Sequence, residues 1–480
     1  MSTEDAIENI IGRFGLYQTW VLFLIAIGRV PADFQLTNVV YILPKVDYVC
    51  LDEGASNMTN YCPCKNPQYE TSTIVESVVT TWHLICGSSY LASLAQSVLQ
   101  IGILTGSLLY GYLSDRYGRK TTILMALTSD VVFVVASALV PDFWMFLVLR
   151  FLIGTSVGGT LICSYTLMVE LSGKSFRPYL PGLTQIAYAT VSIVHPIIAY
   201  YIREWRYLQL VTSVPCVFVI SYNWLMLESP RWLITVGKKE EAIDVLTKIA
   251  KRNKRPTDNI ASIIYAAEEH KTKKEEPKYG SYLDLFSTPK MKMYSLIIAC
   301  VWFCCGNTFY GINQYIGRLQ GNFYLNIFLF GVFHIPPLFF NVLVSLYIKR
   351  KIGVIGSFTM SAIALIIFIY IPSDLESISL AFAILGHIGS NMAFGQMYLF
   401  TSEVFPTVVR NSALGFASMF SRFGGFAAPF VVNIGIEWMS VAIFSGVTLV
   451  AAFFCFFLPD TKDKVLLNTI EQAEKSTDEK

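Results

Sequence analysis

Long apolar runs alternate with short polar ones along nearly the whole chain. Twelve of them approach the ~20 residues that an α-helix needs to cross a bilayer. They fall at 17–42, 90–112, 121–140, 143–168, 180–202, 208–227, 293–314, 323–347, 354–372, 378–400, 412–434 and 439–458. The first six and the last six are separated by a polar stretch, 228–292. Within it, Lys238 to Lys254 places Ala242, Val245 and Ile249 at helical spacing with a polar outer face. The pattern predicts an all-α integral membrane protein with a short N-terminal segment (1–16), a six-span half (17–227), a linker with short helices (228–292), a second six-span half (293–458) and a polar tail (459–480). The longest interruption inside a half is the loop 43–89.

Composition agrees. Of 480 residues, 54% are hydrophobic and 15% charged, too apolar a balance for a soluble chain of this size. The net charge of +2 decides nothing, because in a membrane protein the distribution of charge matters. Of the 36 Lys and Arg residues, 28 lie in the segments on the side of both termini, 14 of them in the linker. Five lie on the opposite side (Lys45, Lys65, Arg203, Arg206, Arg318) and three inside spans (Arg29, Arg150, Arg422). Basic loops stay in the cytoplasm, so both termini are expected there. Residues 1–16 carry Glu4, Asp5 and Glu8, and no cleavage-type small-residue site follows. The first span is therefore read as an uncleaved anchor.

The loop 43–89 faces outward on this topology. It holds Cys50, Cys62, Cys64 and Cys86 and the sequon Asn57-Met-Thr59, a glycosylation site. Four cysteines in one outward loop read as two disulfides. Cys62 and Cys64 are too close to pair comfortably, so Cys50 and Cys86 each take one of them. A metal site would want a supporting histidine cluster, which the loop lacks. The other six cysteines lie in spans and read as packing.

Charges inside spans face a bundle interior or a wet cavity. Arg29 and Asp33 are four apart, on one helix face, beside Pro31, and can neutralise each other. That makes them either a self-paired structural charge or a lining of the cavity. Asp130 sits in the middle of the third span. Arg150 opens a glycine-rich stretch with Gly154, Gly158 and Gly159, where helices can pack closely. Between the second and third spans the chain reads Gly106-Ser-Leu-Leu-Tyr-Gly111-Tyr-Leu-Ser-Asp115-Arg116-Tyr-Gly118-Arg119-Lys120. Gly106 and Gly111 are expected to admit a neighbouring helix. Asp115 and Arg119 can pair with each other or with a facing helix end.

The chain also repeats itself. Glu170 to Arg177 follows the fourth span and Glu403 to Arg410 the tenth, each an acid and an arginine seven apart, 233 residues on. Glu228-Ser-Pro230-Arg231 closes the sixth span and Leu458-Pro459-Asp460-Thr461-Lys462 the twelfth. Two parallel six-span repeats follow from this, an arrangement known in transporters. Lys349-Arg-Lys-Ile-Gly353 is the counterpart of the 115–120 turn, without its acid.

The Gly, Asp, Arg, Gly, Arg string of that turn resembles the loop between helices 2 and 3 of the major facilitator superfamily. A narrower likeness rests on Thr73-Ile-Val-Glu76, His83-Leu-Ile-Cys86, Gln96-Ser97, Tyr282-Leu-Asp-Leu-Phe286 and Phe309-Tyr310-Gly311. With these the chain, over about residues 14 to 465, resembles the organic cation, carnitine and organic anion transporters of solute carrier family 22, with a shortened first outer loop.

The resemblance implies the major facilitator fold and transport of a small organic ion by alternating access at the plasma membrane. It implies latches on the cytoplasmic side from Asp115, Arg119, Glu170, Arg177, Glu403 and Arg410, holding an outward-open state. It implies a substrate cavity lined by Trp302, Phe309, Tyr310, Phe394, Tyr165, Gln185 and Tyr188. Where the family typically has an acid in the eighth span, this chain has His334; where it has a base in the tenth, His387. Each histidine reads either as a satisfied core group or as a hydrogen-bonding group for substrate. Arg422, in the eleventh span, stands where the family's charge follows that of the substrate. It is either a buried structural arginine or the fork that grips a carboxylate. An organic anion or zwitterion is therefore the expected substrate. The alternatives are an organic cation held by Asp130 or by aromatic faces, and a receptor that binds without transport. No span carries the constellation of a hydrolase or metalloenzyme, so no enzyme activity is expected. No cofactor, metal or nucleic-acid partner is expected either, and the chain is expected to work as a monomer in the lipid bilayer; the coupling ion is left open.

Overall fold

The apolar runs are helices. The computed structural model describes residues 3–52, 58–173, 176–269, 282–372, 374–406 and 408–461, so Asn57 of the expected sequon lies outside the described residues. The principal helices are α1 (Thr3–Ile11), α2 (Leu16–Thr37), α3 (Ser89–Tyr117), α4 (Arg119–Leu139), α5 (Phe143–Leu171), α6 (Leu180–Tyr201), α7 (Trp205–Ser213), α8 (Lys239–Arg252), α9 (Ile260–Glu269), α10 (Pro289–Tyr315), α11 (Phe323–Val332), α12 (Ile335–Tyr347), α13 (Arg350–Tyr370), α14 (Glu376–Val404), α15 (Arg410–Val432) and α16 (Glu437–Cys455).

Among the described residues, ten helical segments are long and apolar enough to cross a membrane. They correspond to ten of the twelve expected runs. One of the ten, Phe323–Tyr347, comprises α11 and α12, broken at His334 just before Pro336. The run at 412–434 is also a helix, α15, but Ser412, Ser418, Ser421 and Arg422 dilute its apolar character. The run at 208–227 is irregular: α7 gives way to a 3-10 stretch, Val214–Ser221, and a short turn, Tyr222–Leu225. Pro215, which offers no amide, marks the change.

The chain packs as two compact units. The first holds Met1–Leu36, Gly102–Val191 and Arg206–Pro277; the second holds Thr37–Ile101, Ser192–Trp205 and Lys278–Lys480. In the first unit, α1, α8 and α9 bury Ile7, Ile10, Leu246, Ile249 and Ile264 in one apolar cluster with Tyr17, Leu127 and Leu171. Ala242, Val245 and Ile249 form the inward stripe of α8, as their spacing predicts. Asn253, just after α8, locks this arrangement. Its amide donates to the Ile11 carbonyl and to Gln18 Oε1, each at 2.8 Å, and its oxygen accepts from the Tyr17 amide. The linker helices are thus stitched to the first span.

Glycines let α3 and α5 meet backbone to backbone. A β-carbon on Gly106 would lie 2.0 Å from the Thr155 carbonyl oxygen, and one on Gly158 would lie 2.2 Å from that of Ile103. Gly111 departs from expectation: no heavy atom of a neighbouring element lies within 4 Å of the position a β-carbon would take. Among the described residues the space beside it is open.

In the second unit α10 and α15 pack the same way. A β-carbon on Gly424 would fall 2.1 Å from the Phe303 oxygen, and one on Gly306 would fall 2.2 Å from the Ser421 oxygen. Behind them lies a core of Trp302, Phe358, Phe400 and Phe405. The cysteine loop belongs to this unit. Its strands β1 (Tyr48–Cys50), β2 (Met58–Thr59) and β3 (Pro67–Tyr69) form a small antiparallel sheet with β1 in the centre. Disulfides join Cys50 to Cys64 and Cys62 to Cys86. Tyr69, whose phenol burial pushes up to about 12, is hydrogen-bonded to His83 Nδ1 at 2.9 Å. The loop is fastened to the end of α6 and the start of α7: the Val75 amide donates to the Arg203 carbonyl, and the Trp205 amide to that of Glu76.

A methyl group at position 106 must push two backbones apart. Overpacking of this kind costs about 1–3 kcal/mol. Gly106→Ala should therefore lower the thermal unfolding temperature of the detergent-purified protein by several degrees, while Gly111→Ala leaves it unchanged or raises it. Equal effects of the two substitutions would contradict the close approach of α3 and α5.

Candidate functional site

The turn between α3 and α4 is built around one arginine. Gly118, at φ +100°, makes the reversal that other residues resist. Arg119 then reaches back. Its Nε and Nη2 fork onto Glu170 at 3.1 and 2.8 Å, and its Nη1 meets Asp115 Oδ1 at 2.7 Å. Asp115 is largely exposed and Glu170 is not, so the Glu170 bond is the stronger one. Glu228 completes the cluster and was not anticipated in this role. Its carboxylate accepts the amides of Arg119, Lys120 and Ser229, which caps the amino end of α4 where the helix dipole favours a negative charge. Lys120 Nζ bonds the Asn223 carbonyl at 2.6 Å.

The second unit repeats the design with other residues. Arg350 Nε lies 3.2 and 3.3 Å from the two oxygens of Glu403, and its Nη1 bonds the Ser345 carbonyl. Thr461 Oγ1 donates to Glu403 at 2.6 Å, and Lys351 Nζ to the Phe456 carbonyl at 2.5 Å. Arg119 and Arg350, Lys120 and Lys351, Glu170 and Glu403, and Asn223 and Phe456 thus correspond at separations of 231 to 233 residues. Arg410, the expected partner of Glu403, does not take that place: its Nε and Nη2 are buried without a hydrogen bond. Arg350 arrives first because it begins α13, directly opposite the end of α14. Arg177 starts the 3-10 turn Arg177–Tyr179, and Glu170 is held by Arg119.

Arg422 lies half-buried in the middle of α15. Its Nη1 donates to Tyr310 Oη at 2.5 Å and to Gln100 Oε1 at 3.4 Å, and its guanidinium stands 5.7 Å from the Tyr310 ring centre. Among the described residues no carboxylate pairs with it. A wall of rings runs on from Tyr310: Phe309 is stacked on Phe394 at 5.0 Å, and Phe394 meets Tyr398 and Trp302 edge-on. Trp302 differs from the expectation of a lining residue. It is wholly buried, its indole N–H donates to Thr401 at 2.9 Å, and it supports Phe394 from behind.

The wall ends at the two histidines, both buried. Their Nε2 atoms lie 3.1 Å apart, and His334 Nδ1 lies 3.0 Å from the Phe330 carbonyl oxygen. An oxygen acceptor requires that Nδ1 carry the proton. With both rings neutral, His334 Nε2 is then the acceptor and His387 Nε2 the donor. His387 Nδ1 is left as a bare lone pair, and it is buried without a hydrogen bond.

Tyr165, Gln185 and Tyr188 belong to the first unit, on α5 and α6; Tyr165 and Gln185 are exposed and Tyr188 is half-buried. The same unit holds the expected Arg29–Asp33 pair, Nη2 to Oδ1 at 3.2 Å, with Arg29 Nη1 also bonding the Thr184 carbonyl. Asp130 and Arg150 are completely buried, and both oxygens of the one and all three nitrogens of the other lack hydrogen bonds among the described residues. A cavity of about 800 Å³ opens beside α4, lined by Lys120, Met125, Ser129, Glu228 and Trp232 among others. It contains none of the expected substrate residues. Gln100 escaped the sequence reading; the signal was there in the polar stripe Ser93, Gln96, Ser97, Gln100 on an otherwise apolar helix.

Comparison with known proteins shows the family. A sequence model of the family described as Sugar (and other) transporter matches residues 33–472. Human solute carrier family 22 member 13 is 32% identical over 83% of this chain and 72% of its own length. An organic cation transporter-like protein of Drosophila melanogaster is 28% identical over 99% of this chain and 93% of its own. Among solved structures, the inward open conformation of the xylose transporter XylE from E. coli superposes with a TM-score of 0.71 at 19% identity, covering 95% of this chain and 99% of that one. The chain is thus a multi-pass membrane transporter of the major facilitator superfamily, and it belongs to solute carrier family 22.

Proposed function

We propose that this transporter carries small organic anions or zwitterions across the plasma membrane by alternating access, with Arg422 binding the anionic group. The observation that carries this reading is the state of Arg422: a mid-helix guanidinium, half-buried, held by a phenol and an amide and by no acid. A charge in such a place asks for a counter-charge. A carboxylate can take the remaining nitrogens as a fork. Phe309, Tyr310 and Phe394 supply flat apolar surface beside it, and His387 Nδ1 an acceptor for a donor group of the substrate. Tyr165, Gln185 and Tyr188 are the first unit's candidates for substrate contact in this proposal. Two six-span halves, 17–227 and 293–458, rock with both termini in the cytoplasm. The clusters Asp115–Arg119–Glu170–Glu228 and Arg350–Glu403–Thr461, with Arg177 and Arg410 beside them, act as latches for the outward-open state. A second reading, transport of organic cations, draws on Asp130, an acid with no partner among the described residues, and on the organic cation named for the Drosophila relative.

Uptake of labelled organic anions, zwitterions and cations into cells expressing the protein tests the charge preference. Arg422→Ala should weaken the affinity for anions roughly tenfold to a hundredfold, since a hydrogen bond to a charged group contributes about 1.5–3 kcal/mol. Arg422→Lys should lose less and Arg422→Asp should reject anions outright. Uptake confined to cations, and unchanged in Arg422→Ala, would replace this reading with the second.

The latches are tested by turnover at equal surface level. Arg350→Ala and Glu403→Gln should each slow uptake about tenfold, the effect of about 1.4 kcal/mol on a balanced two-state equilibrium. Asp115→Asn should do less, because its carboxylate is exposed. Normal turnover in both Arg350→Ala and Glu403→Gln would remove the latch role.

A further inference from the structure

Three of the four residues in the polar stripe of α3 are laced to α15. Ser93, Ser97 and Gln100 lie at helical spacing on one face of α3, and Arg422, Phe426, Pro429 and Asn433 lie at the same spacing on α15. The two rows run in opposite directions and pair rung by rung. Ser93 Oγ donates to the Pro429 carbonyl at 3.3 Å and accepts from Asn433 Nδ2 at 2.5 Å. Ser97 Oγ donates to the Phe426 carbonyl at 2.6 Å. Gln100 Oε1 accepts from Arg422 at 3.4 Å. Ser93, Ser97 and Gln100 are all buried. Asn433 is itself pinned by Arg318, which bonds both its side chain and the Val432 carbonyl. The seam therefore starts at the end bearing the disulfide loop and stops at Arg422.

The last rung differs from the others. A serine hydroxyl on a main-chain carbonyl has no competitor inside the helix pair. The Gln100–Arg422 rung is the longest of the set, and it joins a neutral amide to a guanidinium. A carboxylate can offer a guanidinium two parallel, short bonds and a counter-charge, where the amide offers one long bond. An anion arriving at Arg422 will displace the amide.

We propose that Gln100 is a positioning residue that couples ligand to conformation: it holds Arg422 in the seam between α3 and α15, and an anionic ligand on Arg422 takes its place and unfastens the seam. This inference rests on the reading of Arg422 as the anion-binding group. Linkage then requires the reverse effect: loosening the seam by removing the competing amide must tighten anion binding.

The test uses the purified full-length protein with benzoate, glutarate and betaine as probes, binding followed by equilibrium dialysis and the seam by hydrogen exchange of peptides from 89–101 and 422–433. Binding of a probe should speed exchange in both peptides severalfold in the wild type, with no ligand effect in Arg422→Ala. Gln100→Leu should speed exchange without any probe and bind the probe about tenfold more tightly, the low end of the worth of a hydrogen bond to a charged group, as its length requires. A merely structural glutamine would give weaker binding on substitution. Arg422-dependent binding with exchange unchanged, or unaltered affinity in Gln100→Leu, would overturn the coupling and leave the anion reading intact. Absence of Arg422-dependent binding for all three probes would sink the anion reading, and the coupling with it.

Discussion

A charge placed inside an apolar helix bundle is costly unless a protein partner or a wet cavity answers it. Most of what distinguishes this chain follows from how it meets that demand. Arg29 meets it locally, with Asp33 one turn away. Arg119 and Arg350 meet it at the helix ends, each forking onto the glutamate that closes a neighbouring helix. In each case the acid and the base come from elements far apart in sequence, so satisfying the charge also fixes which helices touch. Arg422 is answered only by neutral groups, a phenol and an amide. In the proposed function an anionic substrate supplies the counter-charge that these neutral groups do not.

The close helix contacts depend on a second constraint, that of space. Where α3 meets α5 and α10 meets α15, backbone carbonyls lie where a β-carbon would stand. Such contacts gain packing and cost no polar burial, which suits helices that have no hydrophobic drive to associate in lipid. They also hold the bases at fixed depths. Gly424 lies two residues from Arg422, so the helix that presents the guanidinium is pressed directly against α10, which presents Tyr310.

Much of this architecture was legible in the residues. Spans announce themselves by length and apolarity, and the exceptions are instructive: α15 reads as a weaker span because its polar residues serve the seam and the site, and the sixth run is irregular where Pro215 withholds an amide. Pairing two of the loop cysteines with Cys62 and Cys64 followed from their spacing, while which took which depended on the register of a three-stranded sheet that no local pattern reveals. The repeat in sequence points to Arg410 near Glu403, which feels its charge, while the repeat in hydrogen bonds, Arg119 with Arg350, shows only in the contacts. Gln100 and Glu228 were missed for a common reason. Each is an ordinary polar residue whose role exists only through a partner over a hundred positions away.

Glu228 has a wider mechanical meaning. One carboxylate satisfies the amides of Arg119 and Lys120, so the first residue of the linker and the head of α4 cannot part without stranding two donors. At the other end of α8 Asn253 binds the linker again, this time to Ile11, Tyr17 and Gln18. Residues 228–253 are thus fastened at both ends to different helices of the same unit, as a splint is fastened across a joint. Load applied to α8, by a binding protein or by a modification of its exposed face, is passed to the arginine turn rather than absorbed on the way.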